Sequence, residues 1–169
     1  MGANDSSNIK NTAIGSNDVQ TNEQQYIFLC HNSNIDGPNN LYKTYKVDSK
    51  SLRISGKLLY IYNNNSSNIP LKVVVETGDD EALIFVVKYL NKYKDKDEIA
   101  APEHPLLENV NLDELFEYEN DTFGQFLQLD NIEKNITPIK NVIRIAEELQ
   151  IKTLVDKLSA ILCYYLQSL

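Results

Sequence analysis

The chain has 169 residues, 42% of them hydrophobic, which is enough for one compact domain with an apolar core but short for two. Its formal net charge is -8, and the sequence contains no cluster of Lys and Arg residues. Because nucleic acids and anionic membranes are bound through clustered cationic side chains, this composition argues against both as partners.

The N-terminal segment differs in composition from the rest of the chain. Residues 1–25 are rich in Asn, Ser, Asp and Gln, and they bury too little apolar surface to offset the entropy lost on ordering. We therefore expect a disordered tail. The opening MGANDS matches the pattern for N-myristoylation at Gly2, but one acyl chain without a nearby Cys or basic stretch anchors only marginally. An ordinary start or an expression remnant is our interpretation.

A β-hairpin and short helices are predicted next. Residues 26–30 (YIFLC) are typical of a buried strand, and residues 41–47 (LYKTYKV) predict a second strand after a turn rich in Asn, Gly and Pro. Asp48 and Ser49 are candidate N-caps for one or two short helices within residues 48–62.

A third strand and a strongly patterned helix follow. Residues 69–76 (IPLKVVVE) are rich in β-branched residues, and Thr77 or Asp79 can cap the helix that begins after them. Residues 79–97 then repeat apolar side chains at three and four residues, which predicts an amphipathic helix. The stripe comprises Leu83, Val86, Val87 and Leu90.

Two further helices have the clearest pattern. Thr137 as N-cap and Pro138 at the first helical position predict the start of one helix, and a second is predicted to start near Ile151. The buried face of the first comprises Ile139, Val142, Ile143 and Ala146, and that of the second comprises Leu154, Val155, Leu158, Ile161, Leu162 and Tyr165. The element order predicts an α+β domain over residues 26–169, with three strands beside five or six helices.

No group of side chains in the sequence indicates catalysis or metal binding. Cys30 and His31 are adjacent, but zinc needs four suitable ligands, and His104 and Cys163 do not stand at motif spacing. The acids of residues 108–121 could supply a general acid and base, although a solvated acidic face is the commoner meaning. We expect neither an enzyme nor a cofactor.

Cysteine usage and hydropathy predict the compartment. Cys30 and Cys163 lie in apolar surroundings far apart in sequence, which favours reduced, buried thiols. No apolar run approaches the ~18 residues that span a bilayer, and the polar N-terminus has no signal-peptide core. We expect a soluble protein of the cytoplasm and nucleus.

The ten tyrosines allow two interpretations. Tyrosine commonly packs at the boundary of a core and keeps its hydroxyl in water, and it is also enriched in recognition surfaces. Tyr164, Tyr165 and Leu166, at the end of the last helix, favour a recognition surface.

The helical pair resembles a known family. Residues 141–166 (NVIRIAEELQIKTLVDKLSAILCYYL) resemble the part of the S-phase kinase-associated adaptors that reads approximately L-x-x-x-I-x-A-A-N-Y-L-D-I-K-x-L-L-D. The matching positions are Ile143, Ile145, Ala146, Leu149, Ile151, Lys152, Leu154, Val155 and Asp156. Upstream, residues 69–97 resemble the family's Val-Pro-Leu strand and following helix, and residues 121–130 resemble its stretch ending in Phe-Leu-x-Val-Asp. Order and spacing agree over residues 26–166.

The resemblance implies a BTB/POZ fold and a non-catalytic adaptor that bridges a cullin to an F-box-like receptor in an SCF-like ubiquitin ligase. Elongin C, a close relative of that family, bridges other receptors. The resemblance implies cullin-facing roles for Phe126, Glu147, Glu148 and Leu149, and receptor-facing roles in the last helix for Leu158, Leu162, Tyr164, Tyr165 and Leu166. It also allows a homodimer without receptor. The alternative is a BTB scaffold that self-associates or joins a kinetochore-like or other assembly without ubiquitin transfer.

Two departures from the family pattern bear on partners. Glu147 and Glu148 stand where the family has an Asn-Tyr pair that contributes to cullin binding, which predicts either lost cullin binding or a changed partner. Residues 26–169 also lack the two further helices with which full adaptors clasp the F-box. This implies either a trimmed chain or receptor binding in the shorter elongin C manner.

Overall fold

A computed structural model describes residues 26–31, 43–65, 71–96, 99, 116, 119–127 and 132–167, with the backbone alone at residues 120, 132 and 133. The predicted tail of residues 1–25 and most of the acidic segment of residues 108–121 lie outside this description. Within it, one three-stranded sheet is accompanied by five α-helices and one 3-10 helix. The prediction of an α+β arrangement is confirmed at this level.

The sheet combines an antiparallel and a parallel pair. Its strands are β1 (Tyr26–His31), β2 (Thr44–Asp48) and β3 (Leu71–Val75), in the order β2-β1-β3. The predicted hairpin is confirmed, since β1 and β2 are antiparallel with Tyr26 opposite Asp48. β3 runs parallel to β1 with Ile27 opposite Leu71. A parallel neighbour needs a crossover connection, and here the chain between the two strands passes through β2 and a helical segment.

The helices begin where short polar side chains cap them. They are the 3-10 helix (Ser49–Ile54), α1 (Gly56–Asn63), α2 (Asp80–Tyr93), α3 (Asn120–Leu127), α4 (Ile132–Glu148) and α5 (Lys152–Gln167). Asp48 caps the 3-10 helix, as predicted, and Ser55 caps α1. Of the two candidates for α2, Asp79 is the cap, because its side chain accepts a hydrogen bond from the amide of Ala82. The four residues predicted for the stripe of α2 are all buried.

The predicted start of α4 is wrong. The helix begins at Ile132, so Pro138 lies inside it and Thr137 is not its cap. An interior proline removes one helical hydrogen bond and costs about 3 kcal/mol or more. The turn before Pro138 is held by its own contacts, since Asn135 and Ile136 are half-buried and the side-chain amide of Asn135 donates to the hydroxyl of Tyr165 at 3.5 Å.

The prediction of two buried thiols holds for one cysteine only. Cys30 is fully buried in β1, whereas Cys163 is exposed on α5. On α5 the buried side chains include Ile161 and Tyr165, and a helix turns by about 100° per residue, so Cys163 faces away from them.

One acid of the predicted solvated acidic face is instead paired inside the fold. Lys157 of α5 is only 4% exposed, and its ammonium group bonds the carboxylate of Glu119. The hydroxyl of Tyr93 donates to the same carboxylate at 2.5 Å. Burial first, and the hydrogen bond to Glu119 second, raise the pKa of Tyr93. This network ties α2 and α5 to the segment that precedes α3.

Gly78 lies where the turn after β3 meets α4. Its φ is +77°, a conformation that favours glycine, and a Cβ atom there would lie 2.6 Å from Cγ1 of Ile145 and 2.9 Å from the carbonyl oxygen of Asn141. The second of these atoms belongs to the backbone of α4 and cannot rotate away. Gly78 therefore sets how closely the turn approaches the helix.

We predict that Gly78→Ala lowers the free energy of unfolding by at least about 2 kcal/mol, because it adds both backbone strain and a clash with α4. Urea unfolding followed by circular dichroism measures the change. Gly56→Ala is the matched control, since its added Cβ atom would meet no backbone atom: Oε1 of Gln150, at 2.7 Å, can rotate away, and Cβ of Gln150, at 3.3 Å, needs only a small shift. The loss should therefore be smaller than for Gly78→Ala. Equal losses in the two variants would contradict the role of Gly78.

Candidate functional site

The junction between α4 and α5 is a tight turn made of backbone hydrogen bonds. The amide of Gln150 donates to the carbonyl of Glu147 at 3.0 Å, and the amide of Ile151 donates to that of Ala146 at 2.7 Å. These two bonds define a Schellman motif, in which the residue after the helix adopts a left-handed conformation. Gln150 does so, with φ of 57°, although glycine is the usual residue there.

The N-terminus of α1 docks onto this turn. The amide of Gly56 donates to the carbonyl of Gln150 at 3.2 Å, and the amide of Lys57 donates to that of Leu149 at 3.3 Å. The hydroxyl of Ser55 also donates to the carbonyl of Leu149, at 2.5 Å. Free amides at one helix start thus satisfy carbonyls at another helix end, which fixes α1 against the junction.

The carboxylate of Glu148 binds two segments that are distant in sequence. One oxygen accepts from the ammonium group of Lys57 at 2.9 Å. The other accepts from the amides of Glu76 and Thr77, each at 3.0 Å, and from the hydroxyl of Thr77 at 2.9 Å. Its side chain is 14% exposed. Glu148 therefore fastens α4 to α1 and to the turn after β3.

The pKa of Glu148 reports the balance of these contacts. Partial burial acts to raise the pKa, but the hydrogen bonds from Lys57, Thr77 and Glu76 favour the carboxylate and outweigh it. The net pKa is below the ordinary value of 4.5. The side chain is thus ionised at neutral pH, with its charge paired to Lys57 within the fold.

The four residues with predicted cullin-facing roles differ in accessibility. Glu147 is exposed, whereas Glu148 is turned inward and Leu149 is fully buried. Phe126 is also buried, and it lines a pocket beside Val142 near the middle of α4, away from the junction at the end of that helix. In this conformation, Glu147 is the member of the set whose side chain reaches solvent freely. The cullin-facing roles themselves stay predictions.

The five residues with predicted receptor-facing roles divide in the same way. Leu158 and Tyr165 are fully buried and belong to the core. Leu162 and Tyr164 are half-buried, and Leu166 is 67% exposed. Leu162 and Leu166 lie one helical turn apart on the same side of α5, and we call these two residues the α5 patch. Tyr164 lies more than 150° round the helix from both and belongs to a different surface.

A second exposed apolar surface was not predicted as a site. Leu59 and Tyr60 of α1 are 40% and 70% exposed. The sequence held a signal for it, because residues 58–62 (LLYIY) are apolar at five consecutive positions, and one helix face cannot bury all of them.

A pocket of about 310 Å³ lies between the start of α2, the end of α3 and residues 135–142 of α4. Phe85 and Phe126 contribute its apolar wall, and Asp79 and Glu81 contribute carboxylates. Sequence reasoning missed it because its wall comes from three helices that are separate in sequence.

Other classes of site have little support in the residues that the structure describes. Among them, no three His, Cys, Asp or Glu side chains are grouped to hold a metal ion. His31 lies with its Nε2 3.2 Å from the carbonyl oxygen of Thr77. None of the described helices has the length and apolar character to cross a membrane.

No protein-family model matches the chain, and no curated protein matches it. The contacts of the described residues and the resemblance of residues 26–166 are therefore the basis for assigning a function.

We predict that Glu148→Gln lowers the free energy of unfolding by about 2 kcal/mol at pH 7, because it removes charge-assisted hydrogen bonds and leaves Lys57 without its partner charge. A group whose pKa is lowered by folding stabilises above its unfolded pKa, and that stabilisation is lost as pH falls through the folded pKa. The difference in free energy of unfolding between wild type and variant should thus have its full value above about pH 5 and decrease below pH 4.5.

Urea unfolding at several pH values measures this difference. Glu147→Gln is the matched control, since the neighbouring side chain is exposed and should change stability by less than about 0.5 kcal/mol. Equal stability of the two variants at pH 7 would contradict the role of Glu148 in joining α4 to α1 and to the turn after β3.

Proposed function

We propose that the chain is a non-catalytic adaptor of a cullin-type ubiquitin ligase, which joins a cullin to an F-box-like receptor. The proposal assigns it a BTB/POZ fold and no cofactor. The observation that carries it is the α5 patch, in which Leu162 is half-buried and Leu166 is exposed. This patch lies at the end of the helix for which the resemblance implies a receptor-facing role. A contiguous apolar surface left in water is typical of surfaces that a protein partner covers, and Leu162 and Leu166 are contiguous because they lie one helical turn apart.

The order of elements supports the BTB/POZ assignment. A hairpin, short helices, a third strand, a long helix and a helical pair follow one another in the order that the resemblance implies. The matched motif at residues 149–156 (LQIKTLVD) falls at the junction of α4 and α5, where buried Leu149 and Ile151 pack into the core.

The cullin side of the proposal is refined by the contacts of Glu148. From sequence, two negative charges replace the family's polar and aromatic pair. Because the charge of Glu148 is paired with Lys57 inside the fold, Glu147 presents the exposed carboxylate at this end of α4. A partner that docks here should therefore offer a cation or hydrogen-bond donors opposite Glu147. We propose that the cullin partner of this chain carries such a cation or such hydrogen-bond donors opposite Glu147.

The alternative function is a BTB scaffold that self-associates or joins another assembly without ubiquitin transfer. The exposed Leu59 and Tyr60 of α1 favour it, because an apolar pair on one helix can pack against the same pair of a second copy. The two proposals use different helices, so variants can separate them.

We predict that the tagged full chain, purified from its native cells, retains a cullin and an F-box-like protein. Leu166→Glu should lower recovery of the receptor at least about tenfold, since it places a charge in an apolar contact, while cullin recovery stays unchanged. Tyr60→Glu is the matched control, because Tyr60 is equally exposed but lies on α1, and it should retain both partners. Quantitative mass spectrometry of the eluates measures recovery.

The contrary outcomes are distinct. Recovery of neither a cullin nor an F-box-like protein with the wild-type chain would refute the adaptor. Light scattering then tests the alternative, which requires a dimer or larger species that Tyr60→Glu, and not Leu166→Glu, converts to monomer.

A further inference from the structure

The pocket between α2, α3 and α4 has an aromatic wall. Phe85 of α2 and Phe126 of α3 contact each other with ring centroids 5.1 Å apart and planes tilted by 53°. Both rings line the pocket, and both are less than a tenth exposed. The volume of about 310 Å³ is at the lower end of sites that hold small ligands or single side chains, which begin near about 300 Å³.

The mouth of the pocket is negative. Asp79 is held in place, because one of its oxygens accepts from the amide of Ala82 at 2.8 Å and the other from the side-chain amide of Asn141 at 2.5 Å. Glu81, one residue into α2, is exposed at the same opening. No Lys or Arg side chain is among the described residues that line the pocket. The start of α2 adds only about half a positive charge, so the two carboxylates dominate.

The polar atoms of the lining belong mostly to groups that can accept hydrogen bonds. Besides the carboxylates, side-chain amide oxygens are available from Gln125 and Asn141. A ligand that suits this site is a cation with a flat apolar face and several N–H groups. An anion would be repelled by Asp79 and Glu81, and an uncharged apolar group would gain no electrostatic attraction from either carboxylate.

We propose that this pocket binds an arginine side chain of a partner polypeptide. A guanidinium group is planar, stacks on aromatic rings and presents five N–H donors. Its plane lies against Phe126, and its donors reach Glu81 and the amide oxygens. A lysine ammonium group is a compact, strongly hydrated charge without a flat face, so it uses the aromatic wall less well. The site needs neither a cullin nor an F-box-like receptor, so it stands apart from the adaptor proposal.

The test is a titration of the ¹⁵N-labelled full chain, followed by amide chemical shifts, with the peptide acetyl-Ala-Ala-Arg-Ala-Ala-amide. A single side chain should bind with Kd on the order of 1 mM. Shifts should cluster at Ala82, Phe126 and Val142. The same peptide with citrulline, the uncharged counterpart of arginine, should bind at least about tenfold more weakly.

Variants locate the charge that binds. Glu81→Gln should weaken binding of the arginine peptide at least about fivefold, while the shift pattern elsewhere in the spectrum stays that of a folded chain. Asp95→Asn removes the same charge just beyond the other end of α2, where Asp95 forms a salt bridge with exposed Lys50, and should leave binding unchanged. This control separates a local effect from the net charge of -8.

Three results would overturn the assignment. They are equal binding of the citrulline peptide, equal binding of a lysine peptide, and shifts spread over the acidic surface without a cluster at the pocket. The recovery of a cullin with the purified chain neither supports nor refutes the pocket assignment, because that assignment does not depend on the adaptor proposal.

Discussion

The fold depends on one carboxylate that joins three segments. Glu148 bonds the ammonium group of Lys57, 91 residues earlier in the chain, and the backbone of Glu76 and Thr77. A carboxylate that is mostly withdrawn from water is stable only when its oxygens accept several hydrogen bonds, and all of these donors must be in place together. The position of the end of α4 relative to α1 and to the turn after β3 follows from this requirement.

Two neighbouring backbone contacts act in the same direction. The start of α1 covers the carbonyls of the turn at Gln150, and the turn at Gly78 approaches α4 closely enough to exclude a Cβ atom. Together with Glu148, these contacts hold α1, α4 and the turn after β3 as one unit. The partner surfaces that we propose, Glu147 at the end of α4 and the α5 patch, lie on helices positioned by this unit.

Much of the fold was predictable from periodicity. The buried stripe of α2 and the hairpin of β1 and β2 were read correctly, because burial on one face imposes spacings of three to four residues in helices and alternation in strands. The start of α4 was not predictable, since the local signal of Thr137 and Pro138 is overridden by contacts of the preceding turn, where Asn135 bonds the hydroxyl of Tyr165 in α5. The pairing of Glu119 with Lys157 joins segments 38 residues apart, which no local pattern encodes.

The candidate site was predictable in position but not in orientation. Glu147 and Glu148 look equivalent in the sequence, yet successive residues of a helix point about 100° apart, so one faces solvent and the other faces the fold. The resemblance likewise named Leu149, Leu158 and Tyr165, which are core residues, and the spacing of apolar side chains had already predicted burial for Leu158 and Tyr165. Because these three side chains are buried in the assembled helices, fewer of the residues with predicted partner-facing roles are accessible to a partner.

An NMR titration of the two amides that donate to Glu148 tests the account most directly. Because each amide of Glu76 and Thr77 is 3.0 Å from the carboxylate, its chemical shift should follow the ionisation of Glu148. We predict that both amides titrate together with a midpoint below 4.5, and that Glu148→Gln abolishes this transition. A midpoint at or above 4.5, or a transition that persists in the variant, would contradict the central role of this carboxylate.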